Sequence, residues 1–395
     1  MSKKPQILIA GAGLGGLTAA ACLLKKGYPV RVYEVAPELA EIGAGIQNSA
    51  NAVRVLYDLG LKDALEKVIV RPQAYNFRQY DSGEIIQSMP LGETHEQRFG
   101  APYYQIHRAD FHNILVDKVR SLDPDCITLN AEAVGFEEDE NGVTLLLADG
   151  RRMDGDVLIG ADGIKSAIRR QIAGDQPADY TGQVAWRALI QAADLPCNFL
   201  EPNVDVWCGP GNHAVIYYLR GGDILNFVGL VAHEGWSEEG WTIKRPWADL
   251  KADYAGWHPT IQTIIDAADK DHCYRWALNN RKALPFWSTR RTTLLGDSAH
   301  PTLPYLAQGA VMAIEDSAVL SRCLEQCSDI TAALDLYQRN RIDRTTRIVN
   351  ESSANADLFQ KRNVEDLKAA FAARNIDKER SDWLYSYDAL TVPLL

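Results

Sequence analysis

With 395 residues, 46% of them hydrophobic and 24% charged, the chain has the composition of a soluble globular protein and the length for two intimately packed domains or one domain with large insertions. A formal net charge of −11 argues against nonspecific binding to nucleic acid or to an anionic membrane. No apolar run approaches membrane-spanning length, no signal-peptide segment precedes the first strand, and the seven cysteines are scattered without a C-x-x-C pair, so the expectation is a cytoplasmic protein with reduced thiols and neither a disulfide framework nor a zinc site.

The first predicted elements are the most specific. In ILIAGAGLGGLTAA an apolar run predicts a buried strand over Ile7 to Ala10, and Gly11, Gly13 and Gly16 follow in G-x-G-x-x-G spacing before a helix. Gly11 relaxes the turn, Gly13 admits a pyrophosphate, and Gly16 permits tight helix packing. Leu14 and Gly15 open the helix, whose free N–H groups stabilise phosphate without a lysine. A second strand, YPVRVYE, ends on Glu34, about 20 residues beyond the glycines, where an acid binds the ribose hydroxyls of adenosine. A carboxylate there disfavours a 2′-phosphate, which points to FAD or NAD rather than NADP as the resident dinucleotide.

Helical spacing follows in NSANAVRVLYDLGLKDAL, then two short strands around the Asp81-Ser82-Gly83 turn, then the helix ADFHNILVDKVRSL. Alternating strands with turns at Asn141-Gly142 and Asp149-Gly150 predict a small antiparallel sheet that returns to the parallel one. From about Tyr180 to Ala283, aromatic-rich strands such as VAWRALIQ, AVIYYLRGG and ILNFVGLVA predict a separate sheet forming a lid. TTLLGDSAHP marks a return to the parallel sheet, followed by long helices around GAVMAIEDSAVLSRCLEQ and over Ile330 to Leu358.

Two later segments refine the dinucleotide. DVLIGADGIKSAIRR is a strand ending at Asp162-Gly163 with Ser166 and Arg169 on a helix start, and TLLGDSAHP is a strand ending at Gly296-Asp297. With the glycine turn they resemble the three marker segments of the class A flavoprotein monooxygenases, the aromatic-ring hydroxylase family typified by para-hydroxybenzoate hydroxylase. The resemblance runs from Ile7 to about Leu320. It implies an α/β fold in which a Rossmann-like FAD-binding domain (1–75, 100–178 and 285–355) is interleaved with a β-sheet substrate lid (76–99 and 179–284) and followed by a C-terminal helical segment (356–395). Asp297, at a strand's C-terminal end, suits a ribityl hydroxyl, and the helix starting near Gln308, Gly309 and Ala310 offers N–H groups to the flavin pyrimidine edge. By resemblance, Asp162-Gly163 lies near the pyrophosphate and is associated with both FAD and nicotinamide cofactor binding, and Arg108 reaches the FAD phosphates or ribityl chain; a surface helix-start cation is the alternative for Arg108. No second G-x-G-x-x-G follows a strand. The family's NAD(P)H binds transiently in a surface groove, and the two extra markers favour FAD over a flavin-free dehydrogenase.

The resemblance implies that reduced flavin and O₂ form a C4a-hydroperoxide that attacks an electron-rich ring, a step helped by a base of near-neutral pKa on a ring hydroxyl. GPGNHAVIYYLRGG supplies His213 and Tyr217, four apart on one strand face. The pattern resembles the branch containing 6-hydroxynicotinate 3-monooxygenase, 3-hydroxybenzoate 6-hydroxylase and salicylate hydroxylase. It assigns His213 as base or hydroxyl orienter and Tyr217 as its hydrogen-bonding partner, against the alternative of a packed core pair. Gln47 occupies a position beside flavin and substrate where the hydroxynicotinate enzymes carry histidine, a departure that points away from 6-hydroxynicotinate itself. Pro304 stands where the hydroxybenzoate branch places a polar residue, and Pro301 and Tyr305 flank it. Arg187 meets a substrate carboxylate or a structural salt bridge, and His300 is not assigned to catalysis. Nothing resembles a metal cluster or a Ser-His-Asp triad.

The expected function is FAD-dependent, NAD(P)H-consuming hydroxylation of a small phenolic or hydroxypyridine carboxylate, with decarboxylation when attack falls on the ring carbon bearing the carboxylate. NADH is favoured by resemblance. The expected partners are the aromatic acid and O₂, without nucleic acid or membrane, in a monomer or homodimer. The alternatives are a larger quinolone, a purine such as urate or an alkene on the same fold, and a flavin-binding protein that has lost oxygenation.

Overall fold

Three strands that lie far apart in sequence end side by side. A parallel sheet runs in the order Thr292–Leu294, Val157–Gly160, Ile7–Ala10, Val30–Tyr33, Ile127–Thr128. Ile7–Ala10 and Val157–Gly160 are buried at every position, the continuous apolar runs of strands covered on both faces. From the central strand the chain passes through the helix Leu14–Lys25 to a neighbour on one side and only later fills the other side. That reversal is the switch point at which such sheets bind nucleotides. The register aligns Ala10 with Gly160 and Gly160 with Leu294, so the expected marker segments leave the sheet together. The computed structural model describes residues 4–39, 45–233, 235, 243–359, 361, 363–373 and 382–395.

The aromatic-rich strands form a second sheet in the order Tyr274–Asn280, Asp179–Gln191, Ile224–Ala232, Asn212–Leu219, Val204–Gly209, Ala74–Gln79, Ile85–Pro90. Its strands alternate. Trp186, Ile216 and Phe227 point into a core with Leu250, Tyr254 and Ile261 from the helices Trp247–Asp253 and Pro259–Asp266, while their neighbours Arg187, Tyr217 and Val228 face the opposite way. That opposite face carries the site. The small sheet Ala133–Glu138, Val143–Leu147, Arg152–Gly155 is antiparallel, and the Asp139 carboxylate closes its first turn by accepting the N–H groups of Asn141 (2.7 Å) and Gly142 (2.9 Å).

The elements cross two of the expected domain limits. Ala74–Gln79 starts two positions before residue 76, and the helix Ile330–Phe359 runs through 355 and 356. Of the expected C-terminal segment, 360, 362 and 374–381 lie outside the described residues. Residues 382–395 are tied to the core through backbone carbonyls: Arg344 donates to Trp383 (3.1 Å) and Leu384 (2.9 Å), and Arg54 to Tyr385 (2.8 Å) and Tyr387 (2.6 Å). The helix Gly92–Phe99 and the ribbon pairing Gly45–Asn48 with Tyr104–His107 were not signalled by the sequence pattern. Among the described residues, no helix is long and apolar enough to cross a membrane.

Candidate active site

The glycine turn is shaped by three different constraints. Gly11 has φ +99°, and a Cβ there would collide with the Ala161 carbonyl. A Cβ on Gly16 would collide with the Gly11 carbonyl, whereas nothing lies within 4 Å of one on Gly13. The backbone is thus closed by protein at two positions and open at the third, where a pyrophosphate needs access. Gly13 also begins the helix Leu14–Lys25 without a side-chain cap, leaving first-turn N–H groups for an anion. Gly15 packs instead: a Cβ there would lie 2.8 Å from Leu295 Cδ2 and 3.2 Å from Ala313 Cβ, and Leu14 is buried beside it.

Glu34 reaches back to this turn, accepting the Ala12 N–H at 2.6 Å and the Ala36 N–H at 3.0 Å. Asp162 accepts from the Ser166 hydroxyl at 2.5 Å and the Ala167 N–H at 2.8 Å, so it caps the helix Ala167–Ala173. Burial raises its carboxyl pKa, and these hydrogen bonds oppose the rise. Gly163, at φ +75° with nothing within 4 Å of an added Cβ, is the open member of the pair. The Ser298 hydroxyl donates to the Gly160 carbonyl at 2.5 Å, and Arg169 donates to the Ser298 carbonyl at 3.3 Å, binding the second segment to the third.

Beyond Gly296, at φ +66°, Asp297 is exposed into a cavity of about 260 Å³. Although it opens to the cavity, the protein packed around Asp297 desolvates its carboxyl and raises the pKa, while His300 and Arg108 pull it down. Arg108, Gln47, Pro304, Gln308, Gly309 and Ala310 line the same cavity from the nucleotide side, and His213 and Tyr217 line it from the sheet. Tyr75, Thr302, Tyr305 and Phe359 complete the wall. Of these, Tyr75, Thr302 and Phe359 carried no signal in the sequence, because they arrive from the sheet's far strands, the loop after Pro301 and the end of a helix more than 140 residues after His213.

His213 departs from its expected chemistry. Its ring is 2% exposed, with centroids 5.4 Å from Tyr305 and 5.4 Å from Phe359, and among the described residues Nδ1 has no hydrogen-bond partner. Burial pushes its pKa down to about 3, so it is a neutral imidazole and not a base poised near neutrality. The expected pairing with Tyr217 is also corrected. Tyr217, 4% exposed, lies beside the Gln47 side chain, whose Oε1 accepts the Tyr103 hydroxyl at 2.6 Å. Burial raises the Tyr217 pKa well beyond the ordinary phenol range.

Arg187 does not join this group. It lines a second cavity of about 570 Å³, its guanidinium 4.8 Å from the Tyr274 ring centroid and 5.8 Å from that of Trp276. Among the described residues it has neither the expected salt bridge nor a place in the His213 cavity. Asp194, Gln191 and His272 line the second cavity with it.

A buried polar chain supports the flavin-facing helix. Gln308 accepts from Asn51 at 3.2 Å and donates to Ser49 at 3.2 Å, and Asn51 donates to Glu315 at 2.6 Å. Burial would raise the Glu315 pKa, but Arg344 and Arg341, each 2.7 Å away, hold it below the usual carboxylate range. Next to it Asp316 bonds His300 Nε2 at 2.7 Å and Arg341 Nε at 2.7 Å. Its carboxyl is held down to about 2 despite burial. His300, 3% exposed, belongs to this support.

These residues fit FAD. The open backbone at Gly13, the uncapped helix start and the strand-end Glu34 suit the ADP half, and the cavity-facing Asp297 beside Arg108 and the helix beginning at Gly309, where an added Cβ meets nothing closer than 3.6 Å, suit the flavin half.

The FAD binding domain family matches residues 4–352. The chain is similar to 6-hydroxynicotinate 3-monooxygenase of Pseudomonas fluorescens, 34% identical over 400 residues that cover 100% of this chain and 98% of that one. It is also similar to 3-hydroxybenzoate 6-hydroxylase of Polaromonas naphthalenivorans, 36% identical with 97% of this chain and 96% of that one covered. Among solved structures, HpxO of Klebsiella pneumoniae complexed with FAD and uric acid superimposes with a TM-score of 0.83 at 28% identity, covering 96% of this chain and 94% of that one.

Proposed function

The chain belongs to the FAD binding domain family of aromatic hydroxylases and is an FAD-dependent monooxygenase, and we propose that it hydroxylates a small hydroxybenzoate- or hydroxypyridine-type acid held between Tyr217 and His213. Bound FAD, reduced by NAD(P)H, supplies the activated oxygen atom from O₂. The observation that carries the reading is the aromatic-walled cavity of about 260 Å³ at the junction of the nucleotide cradle and the lid sheet.

Gln47 accepts the Tyr103 proton through its oxygen and so presents its amide N–H to Tyr217. The Tyr217 hydroxyl is then left to donate to an oxygen of the substrate. His213, neutral and with Nδ1 enclosed, offers Nε2 as the acceptor for a ring hydroxyl. The pair is complementary: one donor and one acceptor orient a phenol or hydroxypyridine, and His213 holds its proton as electron density builds in the ring. Tyr305 and Phe359 wall the ring from water. Among the described lining residues the cation is Arg108, which this reading gives to the FAD, so the substrate carboxylate is met by hydroxyl groups such as those of Tyr75 and Thr302. Where attack falls on the carbon bearing that carboxylate, carbon dioxide leaves. Gly13, Glu34, Arg108, Asp297 and the helix start at Gly309 and Ala310 hold the FAD.

The test is a panel of 3-hydroxybenzoate, 6-hydroxynicotinate, salicylate, 3-amino-4-hydroxybenzoate and urate with the FAD-loaded protein. The expected result is NADH oxidation stimulated by a hydroxylated aromatic acid, with product matching NADH consumed. Stimulation by urate alone moves the reading to a purine, and stimulation by none removes it.

A further inference from the structure

The second cavity has features that the hydroxylation site does not use. Arg187 is 4% exposed, yet among the described residues no hydrogen-bond acceptor or carboxylate reaches its guanidinium. His107, 7% exposed, lines the same cavity, while its Nδ1 is enclosed 3.9 Å from Asp110, without a hydrogen-bond partner among the described residues. An arginine stays charged under all ordinary conditions; the Tyr274 and Trp276 rings flank this guanidinium and leave its hydrogen-bonding groups to the cavity, where an anionic group can pair with them. The arrangement is therefore built for an anionic ligand.

Size and position narrow the ligand. A volume of about 570 Å³ is more than twice that of the His213 cavity and far exceeds an inorganic anion. The rings of Tyr274 and His272 line it with the guanidinium, and Asp194 stands among the lining residues as an acceptor suited to sugar hydroxyls. The cavity also adjoins the flavin cradle. His107 lines one cavity and its neighbour Arg108 the other, and Val228, directly across the strand from Arg187, lines the His213 cavity. A hydride donor must reach the flavin ring from a site that touches the flavin cradle.

We propose that this cavity binds the NAD(P)H donor, with Arg187 pairing to its pyrophosphate in bidentate fashion, Tyr274 and His272 flanking the dinucleotide, and Asp194 accepting from a ribose. This rests on the FAD-dependent reading above. It gives the chain a coenzyme site without a second glycine turn, because a buried guanidinium replaces the helix N-terminus as the phosphate anchor.

The test uses FAD-loaded protein with Arg187→Gln, Arg187→Lys and, at the exposed rim, His272→Ala. ADP-ribose binding is measured by calorimetry, NADH binding from the concentration dependence of anaerobic flavin bleaching, and 3-hydroxybenzoate binding from the flavin absorbance. The expected result is that Arg187→Gln weakens ADP-ribose and NADH tenfold or more, Arg187→Lys recovers part of the loss, and FAD content and 3-hydroxybenzoate affinity stay within twofold. Unchanged ADP-ribose and NADH affinities overturn the proposal, as does a loss confined to 3-hydroxybenzoate. Reduction by dithionite bypasses the donor, so product formed by Arg187→Gln after dithionite reduction keeps a failure here separate from a failure of the hydroxylase reading.

Discussion

The Tyr103 hydroxyl donates to Gln47 Oε1 at 2.6 Å, and this bond decides which end of the amide faces Tyr217. Gln47 lies on one strand of the short ribbon joining Gly45–Asn48 to Tyr104–His107 and Tyr103 just precedes the other, so the surroundings of Tyr217 are set by a pairing remote from the lid strand that carries it.

Gln47→Ala removes the side chain between Tyr103 and Tyr217 on the nucleotide side of the cavity. Losing one hydrogen bond of about 1 kcal/mol, with further loss from misorientation, lowers kcat/KM for the aromatic acid by roughly tenfold or more. Tyr103→Phe gives a smaller decrease, because the amide remains but its orientation is no longer enforced. Steady-state kinetics with the flavin absorbance as a loading control distinguishes these from a loss of cofactor.

His213→Ala retains FAD but slows ring hydroxylation and diverts NADH oxidation to hydrogen peroxide, read as the ratio of peroxide to NADH. A drop of about tenfold or more in product per turnover is expected for removal of a catalytic hydrogen-bonding group. Undiminished coupled turnover removes His213 from the mechanism.

The same residue gives a stability signature. Its native pKa, lowered to about 3, lies below the value near 6.5 of an unfolded histidine, so the unfolded chain binds the extra proton as pH falls. The contribution is absent above about pH 6.5 and grows as a destabilisation between that value and the native pKa. Urea unfolding of His213→Gln should show a flatter decline in stability across that window than the parent protein; an identical decline contradicts a neutral, buried imidazole.

Gly13→Ala and Gly16→Ala separate folding from cofactor binding. An added methyl meets no protein atom within 4 Å at position 13 but strikes the Gly11 carbonyl at position 16. Gly13→Ala should leave the apoprotein's denaturation midpoint nearly unchanged while weakening FAD by about tenfold or more, the scale of one obstructed phosphate contact. Gly16→Ala should lower both, measured by calorimetric FAD titration alongside unfolding.

Glu315→Ala should destabilise the protein by about 3–5 kcal/mol, since it leaves the bonded face of Arg344 buried without its carboxylate and Arg341 with Asp316 alone. FAD release should follow, because the same carboxylate holds Asn51 and through it Gln308. Equilibrium denaturation and flavin fluorescence report the two effects independently.

The fold was legible where a local string carries its own constraint. The glycine turn and the strands of the lid read directly as an α/β dinucleotide-binding protein, the two strands ending at Asp162-Gly163 and Gly296-Asp297 added the resemblance to a flavoprotein family, and strand parity put His213 and Tyr217 on one face. What the sequence withheld was tertiary. Burial against Tyr305 and Phe359 makes His213 a weak base, a property no spacing encodes. Gln47 reaches Tyr217 only because the ribbon strand at Gly45 lies against it, and a Cβ at Gly45 would collide with the Tyr217 ring. Arg187 shares a sheet face with Val228 but sits one strand farther out, enough to place it in a different cavity.

The most direct test of an oxygenating enzyme is the fate of the oxygen. With ¹⁸O₂, NADH, the FAD-loaded protein and the aromatic acid that stimulates it, the product should carry one ¹⁸O atom, heavier by two mass units, for each NADH consumed. An unlabelled product, or peroxide accounting for all of the NADH with no product, contradicts the account.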